Sequence, residues 1–397
     1  MDFDDTPEEA AFRAEARAWL EANAGPRTGE VDMLRLMDSP DFVAAAKAWQ
    51  RKLYDGGWAG ITWPKEYGGR GATSIQNTIF TQEQVKREVA TGPFMVGIGM
   101  AGPTIIGHGT DAQKERYLDT MLRGEEIWCQ LFSEPEAGSD LANLATRAVR
   151  DGDEWVVNGQ KVWTSQAHHA EWGMLLTRTD PDAPKHRGIT YFLLDMKAPG
   201  VEIRPLVQIT GAAHFNEVFL TDVRIPAENV LGEVNGGWAV TMTTLQNERA
   251  AIGGAGRAGT HFEEIAALAR SVGKADDPIV RQDLARCFTR FQLLRYLGLR
   301  TQTALSKGAI PGPESSIMKL ILSEHARDNG ELFELLQGNA GMLESTWTTH
   351  FLNQWSMRIG GGTDQIQRNA IGERVLGLPA EPRTDKNVPF RELRKLG

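Results

Sequence analysis

The hydrophobic pattern of this 397-residue chain changes its period twice, and that change limits the folds that the chain can adopt. Apolar side chains recur at helical spacing over residues 7–55 and again from Ser74 to about Leu122. Near Gly124 the pattern changes to short apolar or alternating runs bounded by turn dipeptides, which is typical of strands. From Gly236 onward helical spacing returns. The order helical, β, helical predicts an α+β multidomain protein.

We expect an N-terminal helical domain over residues 1–123, a β domain over 124–233 and a C-terminal helical bundle over 234–397. The strands predicted in the β domain are Glu154–Gly159, Gly173–Arg178, Ile189–Leu194 and Phe215–Leu220. The helices predicted in the bundle are Ala239–Val272, Pro278–Lys307, Ser315–Leu336 and Thr363–Leu376. In the N-terminal domain we expect a break at Gly102-Pro103 and a helix cap at Thr110 or Asp111.

Charge and composition exclude several classes of partner. The chain has 43 Lys and Arg against 52 Asp and Glu, a net charge of −9, so it lacks the basic excess of a nucleic-acid-binding protein. No apolar stretch approaches the roughly 20 residues that span a bilayer, and the acidic N-terminus does not resemble a signal peptide. Two distant cysteines, Cys129 and Cys287, indicate a reducing compartment, and scattered histidines give no reason to expect a metal site. We therefore expect a cytoplasmic protein without a membrane span.

Three segments have a distinctive composition and order: Leu131-Phe-Ser-Glu-Pro-Glu-Ala-Gly-Ser-Asp140, then Trp163-Thr-Ser165, and finally Ile359-Gly-Gly-Gly-Thr-Asp-Gln-Ile-Gln-Arg368. The hydroxyls and glycines of the first segment can offer hydrogen-bond donors to a large anionic or heterocyclic ligand. Together the segments resemble the acyl-CoA dehydrogenase family of flavoenzymes. The resemblance runs from about Trp63 to about Pro379 and implies a central β-barrel domain and a C-terminal four-helix bundle.

The resemblance implies FAD as the cofactor, lying along the segment from Gln130 to Ser139. Trp163 would pack on the far face of the isoalloxazine ring, with Ser165 hydrogen-bonding near N5. The full set of residues expected to contact FAD is Gln130, Leu131, Phe132, Ser133, Gly138, Ser139, Trp163, Thr164, Ser165, Thr363 and Gln365. Glu136 departs from the family, which often has Gly there, and its carboxylate is tolerable beside a pyrophosphate only if it points to solvent.

Desaturation of an acyl-CoA requires a positioned carboxylate to remove a proton from carbon 2. In many family members that Glu stands at the position matching Gly361, so no base can come from there. Other members have the Glu on a helix in a Leu-x-x-Glu-Arg segment, which matches Leu245-Gln-Asn-Glu-Arg249. We therefore predict that Glu248 is the catalytic base. The alternative is a solvated Glu beside Arg on an exposed helix face. The residues expected to bind substrate are Ser139, Gln246, Arg249, Gly361 and Gly362.

The family usually completes a neighbouring subunit's FAD site with Arg-x-x-Phe-Gly and Gln-x-x-Gly-Gly segments. The matching segments here, Ala269–Gly273 and Leu335–Gly341, lack the Arg and Phe of the first, and the Gln and one Gly of the second. We expect an oligomer, either a homotetramer or a heterotetramer with a related subunit, as in some actinobacterial dehydrogenases acting on steroid side-chain thioesters.

The predicted activity is FAD-dependent dehydrogenation of an acyl-CoA, with electrons passed to an electron-transfer flavoprotein. The alternatives are a flavin oxidase or monooxygenase on the same fold, and a non-catalytic partner subunit. The run Gly254–Gly259 fits the dinucleotide pattern G-x-G-x-x-G, but a helical pattern precedes it where that motif requires a strand. We interpret this run as a site of close helix packing.

Overall fold

The computed structural model describes residues 5–27, 39–252, 262–306, 312, 315–383 and 385–393. The run 254–259, most of the loop at 309–314 and the side chain of Arg249 lie outside the described residues. The chain forms two compact units. The bundle unit comprises Met1–Asp32, Ala72–Val89 and Ile252–Ala380; the sheet unit comprises Met33–Gly71, Ala90–Ala251 and Glu381–Gly397. The sequence division at 123/124 and 233/234 stays a prediction.

The described helices are, in chain order, α1 (Pro7–Asn23), α2 (Pro40–Asp55), α3 (Ser74–Gln84), α4 (Gly102–His108), α5 (Asp111–Leu122), α6 (Gly237–Ile252), α7 (Phe262–Ser271), α8 (Pro278–Ser306), α9 (Ser315–Gln337), α10 (Thr346–Ile359), α11 (Asp364–Ala370) and α12 (Phe390–Leu393). The strands are β1 (Trp128–Leu131), β2 (Arg147–Asp151), β3 (Glu154–Ser165), β4 (Trp172–Arg178), β5 (Ile189–Asp195), β6 (Val201–Leu206) and β7 (Phe215–Pro226). The predicted order helical, β, helical is confirmed.

The predicted bundle helices agree with the structure except at two places. The patterns at 278–307 and 315–336 are confirmed as α8 and α9, and the pattern at 239–272 corresponds to α6 and α7. The pattern at 363–376 is α11 followed by a π-helical turn. α10 was not predicted, because its first turn, Thr346-Trp-Thr-Thr, has β-branched and aromatic residues of low helix propensity.

The break expected at Gly102-Pro103 is wrong. A π-helical turn over Gly97–Ala101 leads directly into α4, so the helical run continues through the dipeptide. The predicted cap at Thr110 is confirmed. Its hydroxyl accepts from the Gln113 N–H at 3.2 Å, and the Gln113 side chain accepts from the Thr110 N–H at 3.0 Å.

Within the described ranges the strands form one seven-stranded sheet in the order β1-β4-β2-β3-β7-β6, with β5 also paired to β4. β1 and β4 are parallel, whereas β3–β7, β6–β7 and β4–β5 are antiparallel. The four predicted strands are confirmed as β3, β4, β5 and β7, while β1, β2 and β6 were missed. Buried side chains of the sheet unit form one core, among them Leu131, Val157, Leu175, Phe192 and Val218. Among the described residues, no helix combines the length and apolar character needed to cross a membrane.

A buried carboxylate of α3 joins this helix to α1 within the bundle unit. Glu83 is 2% exposed and accepts hydrogen bonds from Arg17 at 3.1 Å, Lys86 at 2.8 Å and Arg13 at 3.2 Å. Burial alone would raise the pKa of Glu83, but the hydrogen bonds from these three cations outweigh it and lower the pKa to about 2. The charged form of Glu83 therefore stabilises the contact between the two helices.

We predict that Glu83→Gln lowers the free energy of unfolding at pH 7 by about 2 kcal/mol, because charge-assisted hydrogen bonds are lost. The folded-state pKa of about 2 lies below the ordinary value of 4.5, so this stabilisation is complete above pH 4.5 and is lost as the pH falls toward 2. Urea denaturation across this range measures the difference. A difference in unfolding free energy between wild type and Glu83→Gln that stays constant from pH 7 to pH 2 would contradict the stabilising role of the Glu83 charge. Glu8→Gln, at an exposed glutamate, is the control.

Candidate active site

A buried ion pair between Lys161 and Glu134 holds the turn after β1 in place. Lys161 of β3 is fully buried, and its ammonium donates to the Glu134 carboxylate at 2.8 Å and to the Phe132 carbonyl at 3.1 Å. Glu134 also accepts from the N–H groups of Ala145 at 2.7 Å and Thr146 at 2.9 Å. Burial would raise the pKa of Glu134, but the adjacent Lys161 charge and these hydrogen bonds hold it below its usual value.

This pair brings two of the predicted motifs together. The Val162 N–H donates to the Ser133 carbonyl at 3.0 Å, so the backbone before Trp163 lies against the backbone of the first motif. Gly138 and Ser139 of this turn are exposed, and Glu136 is exposed as well, so its carboxylate can point to solvent. Glu134 and Lys161 were not predicted from the sequence. The available signal was Lys161, a charged residue within a strand, which is followed by an apolar residue and lies two residues before Trp163.

Strand β3 ends in a strained segment that presents an indole ring. The β3–β7 register shifts between Lys161 and Thr164, and Trp163 has φ of 61°, which is rare for a bulky side chain. The Trp163 side chain is 61% exposed and meets the Phe215 ring edge to face at 6.0 Å. The buried Thr164 hydroxyl and the buried Gln166 side-chain N–H have no hydrogen-bond partner in the described part of the chain.

Helix α6 brings Glu248 next to β1. The Thr244 hydroxyl, one turn earlier, contacts the Thr104 hydroxyl at 3.0 Å and the Tyr191 hydroxyl at 3.1 Å, and these contacts fix the helix. Residues four apart share a helix face, so Glu248 lies on the same side. Its carboxylate accepts from the Gln130 side-chain amide at 3.3 Å. The structure thus joins the predicted base to Gln130, which the resemblance placed beside the cofactor. Gln246 is exposed.

The glycine segment near the C-terminus belongs to the bundle unit. Gly361 and Gly362 have φ of 64° and 86°, values that favour glycine. The Gln367 side chain donates to both of their carbonyls, at 3.1 Å and 3.3 Å, which fixes the loop. Thr363 caps α11 by accepting from the Ile366 N–H at 3.2 Å, and Gln365 is exposed. The loop presents backbone groups and no carboxylate at 361.

The C-terminal segment of the sheet unit contacts the segment that follows β1 through Lys185. The Lys185 ammonium donates to Asp140 at 2.8 Å and pairs with Asp385 at 2.6 Å. The buried Arg178 guanidinium lies 4.0 Å from the Phe390 ring and donates to the Ala142 carbonyl at 2.6 Å. These contacts link the residues after Ser139 to the last helix, α12.

Comparison with known proteins identifies the class. Residues 6–125, 129–223 and 235–376 match the models of the N-terminal, middle and C-terminal domains of acyl-CoA dehydrogenases. The acyl-CoA dehydrogenase IpdE1 of Mycobacterium tuberculosis (strain ATCC 25618 / H37Rv) is 39% identical over 93% of this chain and 98% of that protein. The acyl-CoA dehydrogenase FadE34 of the same organism is 45% identical over 83% of this chain. That match covers 46% of FadE34, so the chain spans about half the length of this relative.

A solved structure described as the Tcur3481-Tcur3483 steroid ACAD superposes with a TM-score of 0.84 at 31% identity, covering 96% of this chain and 100% of that chain. The chain therefore belongs to the acyl-CoA dehydrogenase family, whose members are FAD-dependent oxidoreductases. The end of β3 fits this cofactor. An exposed indole beside a buried hydroxyl and a buried amide N–H, both unpaired among the described residues, suits a flat ring with polar edges.

We predict that Lys161→Met destabilises the protein by about 3–5 kcal/mol, because it leaves the buried Glu134 carboxylate without its counter-ion. The Phe132 carbonyl also loses its donor, so we expect weaker FAD retention. Thermal unfolding of the apoprotein and the FAD dissociation constant measure the two effects separately.

The double variant Lys161→Met/Glu134→Gln should recover much of the lost stability, because the unpaired buried charge is gone, yet still bind FAD weakly. Lys197→Met, at an exposed lysine, is the control. Equal unfolding temperatures for Lys161→Met and Lys197→Met would show that the buried pair does not stabilise the turn.

Proposed function

We propose that this chain converts an acyl-CoA thioester to the trans-2-enoyl-CoA, with Glu248 as the base that removes the proton from carbon 2. The α-proton of a thioester is a weak acid, so proton removal requires a carboxylate held beside it. FAD supplies the acceptor for the hydride that leaves carbon 3. The supporting observation is the position of Glu248 on an anchored helix, 3.3 Å from Gln130 of the strand that leads to Phe132 and Ser133.

The other binding roles are proposed from the same resemblance and from local geometry. Gly361 would donate its N–H to the thioester carbonyl, and the Gln367 hydrogen bond to its loop supports a fixed donor there. Ser139, which is exposed beyond the turn, would contact the pyrophosphate or the pantetheine arm. From the resemblance we also propose that Gln246 and Arg249 contact the pantetheine arm and that Gly362 contacts the substrate.

We predict that Glu248→Gln slows anaerobic flavin bleaching by a panel of acyl-CoAs at least 100-fold, because the amide cannot accept the proton. Stopped-flow absorbance of the holoenzyme measures the rate, and titration with the substrate checks that binding is retained. Glu263→Gln, at an exposed glutamate of α7, is the control and should bleach like wild type.

If the bleaching rate of Glu248→Gln is within twofold of the wild-type rate, Glu248 is not the catalytic base. Rapid reoxidation of the bleached enzyme by air would favour the oxidase or monooxygenase alternative. Bleaching of the holoenzyme, with all its subunits present, at a rate that does not depend on Glu248 would favour a non-catalytic subunit.

We propose a branched or bulky acyl group, of the kind found on steroid side chains, as the substrate class. Three consecutive glycines at 360–362 remove side-chain volume from the loop that matches the family's substrate contact. The similarity to a steroid acyl-CoA dehydrogenase structure supports the same class. The acyl-CoA panel should therefore include steroid side-chain thioesters beside straight-chain ones.

We propose that the functional oligomer contains a second, related chain that completes the FAD site. The segments Ala269–Gly273 and Leu335–Gly341 lack the residues with which the family contacts a neighbour's FAD. Met342 and Leu343, directly after the second segment, are 83% and 68% exposed, which supports coverage by another subunit. The similar solved structure is named for two chains.

Native mass spectrometry of the complex purified from its natural host tests this composition. We predict two kinds of chain and one FAD per two polypeptides. A homotetramer with one FAD per chain and full dehydrogenase activity would contradict the proposal, and the homotetramer alternative would then stand.

An electron-transfer flavoprotein is the proposed electron acceptor, as the family resemblance implies, and a cytoplasmic location is proposed with it. Both cysteines are buried and unpaired, which supports a reducing compartment. Steady-state activity that depends on added electron-transfer flavoprotein would support this acceptor.

A further inference from the structure

We propose that Gln130 is a positioning residue for the Glu248 carboxylate, which its side-chain amide holds ionised and directed toward β1. This inference rests on the proposed function, in which Glu248 is the base. It differs from the role that the family resemblance gives to Gln130, which is contact with the cofactor.

Strand geometry fixes the direction of the Gln130 side chain. β1 pairs in parallel with β4, where Gln130 lies opposite Met174. Its neighbours Cys129 and Leu131 are fully buried in the core of the sheet unit. Because successive side chains of a strand point to opposite faces, Gln130 points away from that core. On that other face its Nε2 lies 3.3 Å from Oε2 of Glu248.

The helix that bears Glu248 is fixed just as firmly. The Thr244 hydroxyl, one turn before Glu248, forms hydrogen bonds with Thr104 at 3.0 Å and with Tyr191 at 3.1 Å, and the Thr244 side chain is fully buried. Donor and acceptor therefore belong to two anchored elements of one compact unit. Such an arrangement limits the number of orientations that the carboxylate can adopt.

The chemistry of an amide suits this task. An amide N–H donates at every pH, and a hydrogen bond to the ionised form of a carboxylate favours that form over the protonated one. A base must be ionised before substrate arrives, so the Gln130 amide extends catalysis to lower pH. A side chain of equal length without a donor should shift the acid limb of the pH profile upward.

Titratable groups of neighbouring elements also contact α6 in the described part of the chain. His108 of α4 and Tyr191 of β5 hydrogen-bond to threonines one turn before Glu248, and the His186 ring packs on the first turn of α6. Burial lowers the pKa of His108 and of His186, and burial raises the pKa of Tyr191. On α6 itself, Arg249 follows Glu248 directly, and its side chain lies outside the described residues.

The test compares the pH dependence of anaerobic flavin reduction at saturating acyl-CoA in the wild-type, Gln130→Met and Gln130→Glu holoenzymes. Gln130→Met keeps the length and lacks the donor, so we expect the acid limb to move up by about one pH unit. Gln130→Glu puts a second carboxylate beside the first, so we expect a shift of about two units or more. If Gln130 has only a packing role, both substitutions would lower the rate of flavin reduction and leave the acid limb of the pH profile unchanged.

A second readout does not depend on turnover. Infrared difference spectroscopy of the substrate-free holoenzyme follows protonation of the Glu248 carboxyl, which is identified by its absence in Glu248→Gln. The titration midpoint should rise in the same order, from wild type to Gln130→Met to Gln130→Glu. His108→Asn is the control for the nearby histidine and should leave the midpoint unchanged.

The outcomes separate this inference from the proposed function. If Glu248→Gln reduces flavin as fast as wild type, the base assignment fails. If Glu248→Gln blocks reduction while both Gln130 variants keep the wild-type acid limb and midpoint, the role of Gln130 is wrong and the base assignment stands. If Gln130→Met binds FAD more weakly and the acid limb of its pH profile does not move, Gln130 contacts the cofactor and does not position Glu248. A shift in His108→Asn equal to that of Gln130→Met would assign the titration to His108.

Discussion

The structure of the candidate site depends on a lysine ammonium that has no access to water. Lys161 lies inside the sheet unit and donates to the Phe132 carbonyl and the Glu134 carboxylate. A buried charge persists only where its partners are held in good geometry, so the turn after β1 cannot move without breaking the pair. That turn supplies the residues that the family places along FAD. One buried contact therefore sets the position of the first motif against strand β3.

The strain at Trp163 follows from the same arrangement. The strand that buries Lys161 shifts register before Thr164, and the intervening Trp163 takes a left-handed backbone conformation that leaves its indole exposed. Strained residues of this kind persist where the surrounding structure determines them, and they cluster at binding sites. The adjacent Thr164 and Gln166 groups, without hydrogen-bond partners among the described residues, are consistent with a ligand-binding surface at this edge.

The sequence predicted the long, regular elements and the motifs, because these depend on local pattern. α8 and α9 have helical spacing over 29 and 23 residues, and β5 has six consecutive buried residues. β1 was missed because it is only four residues long, and β6 was missed because it has no buried residue and contains Pro205. The ion pair between Lys161 and Glu134 joins residues 27 apart, and no local pattern reports such a pairing. The contact between Gln130 and Glu248 spans 118 residues and depends on the packing of α6 against the sheet.

The central claim is that the Glu248 carboxylate reaches carbon 2 of a bound thioester while the β domain of the same chain holds FAD. A crystal structure of the holoenzyme with a non-oxidisable acyl-CoA analogue tests this claim most directly. We predict a carboxylate oxygen of Glu248 within about 3–3.5 Å of carbon 2, on the side opposite the isoalloxazine ring. A Glu248 side chain turned to bulk water, with another carboxylate beside carbon 2, would contradict it.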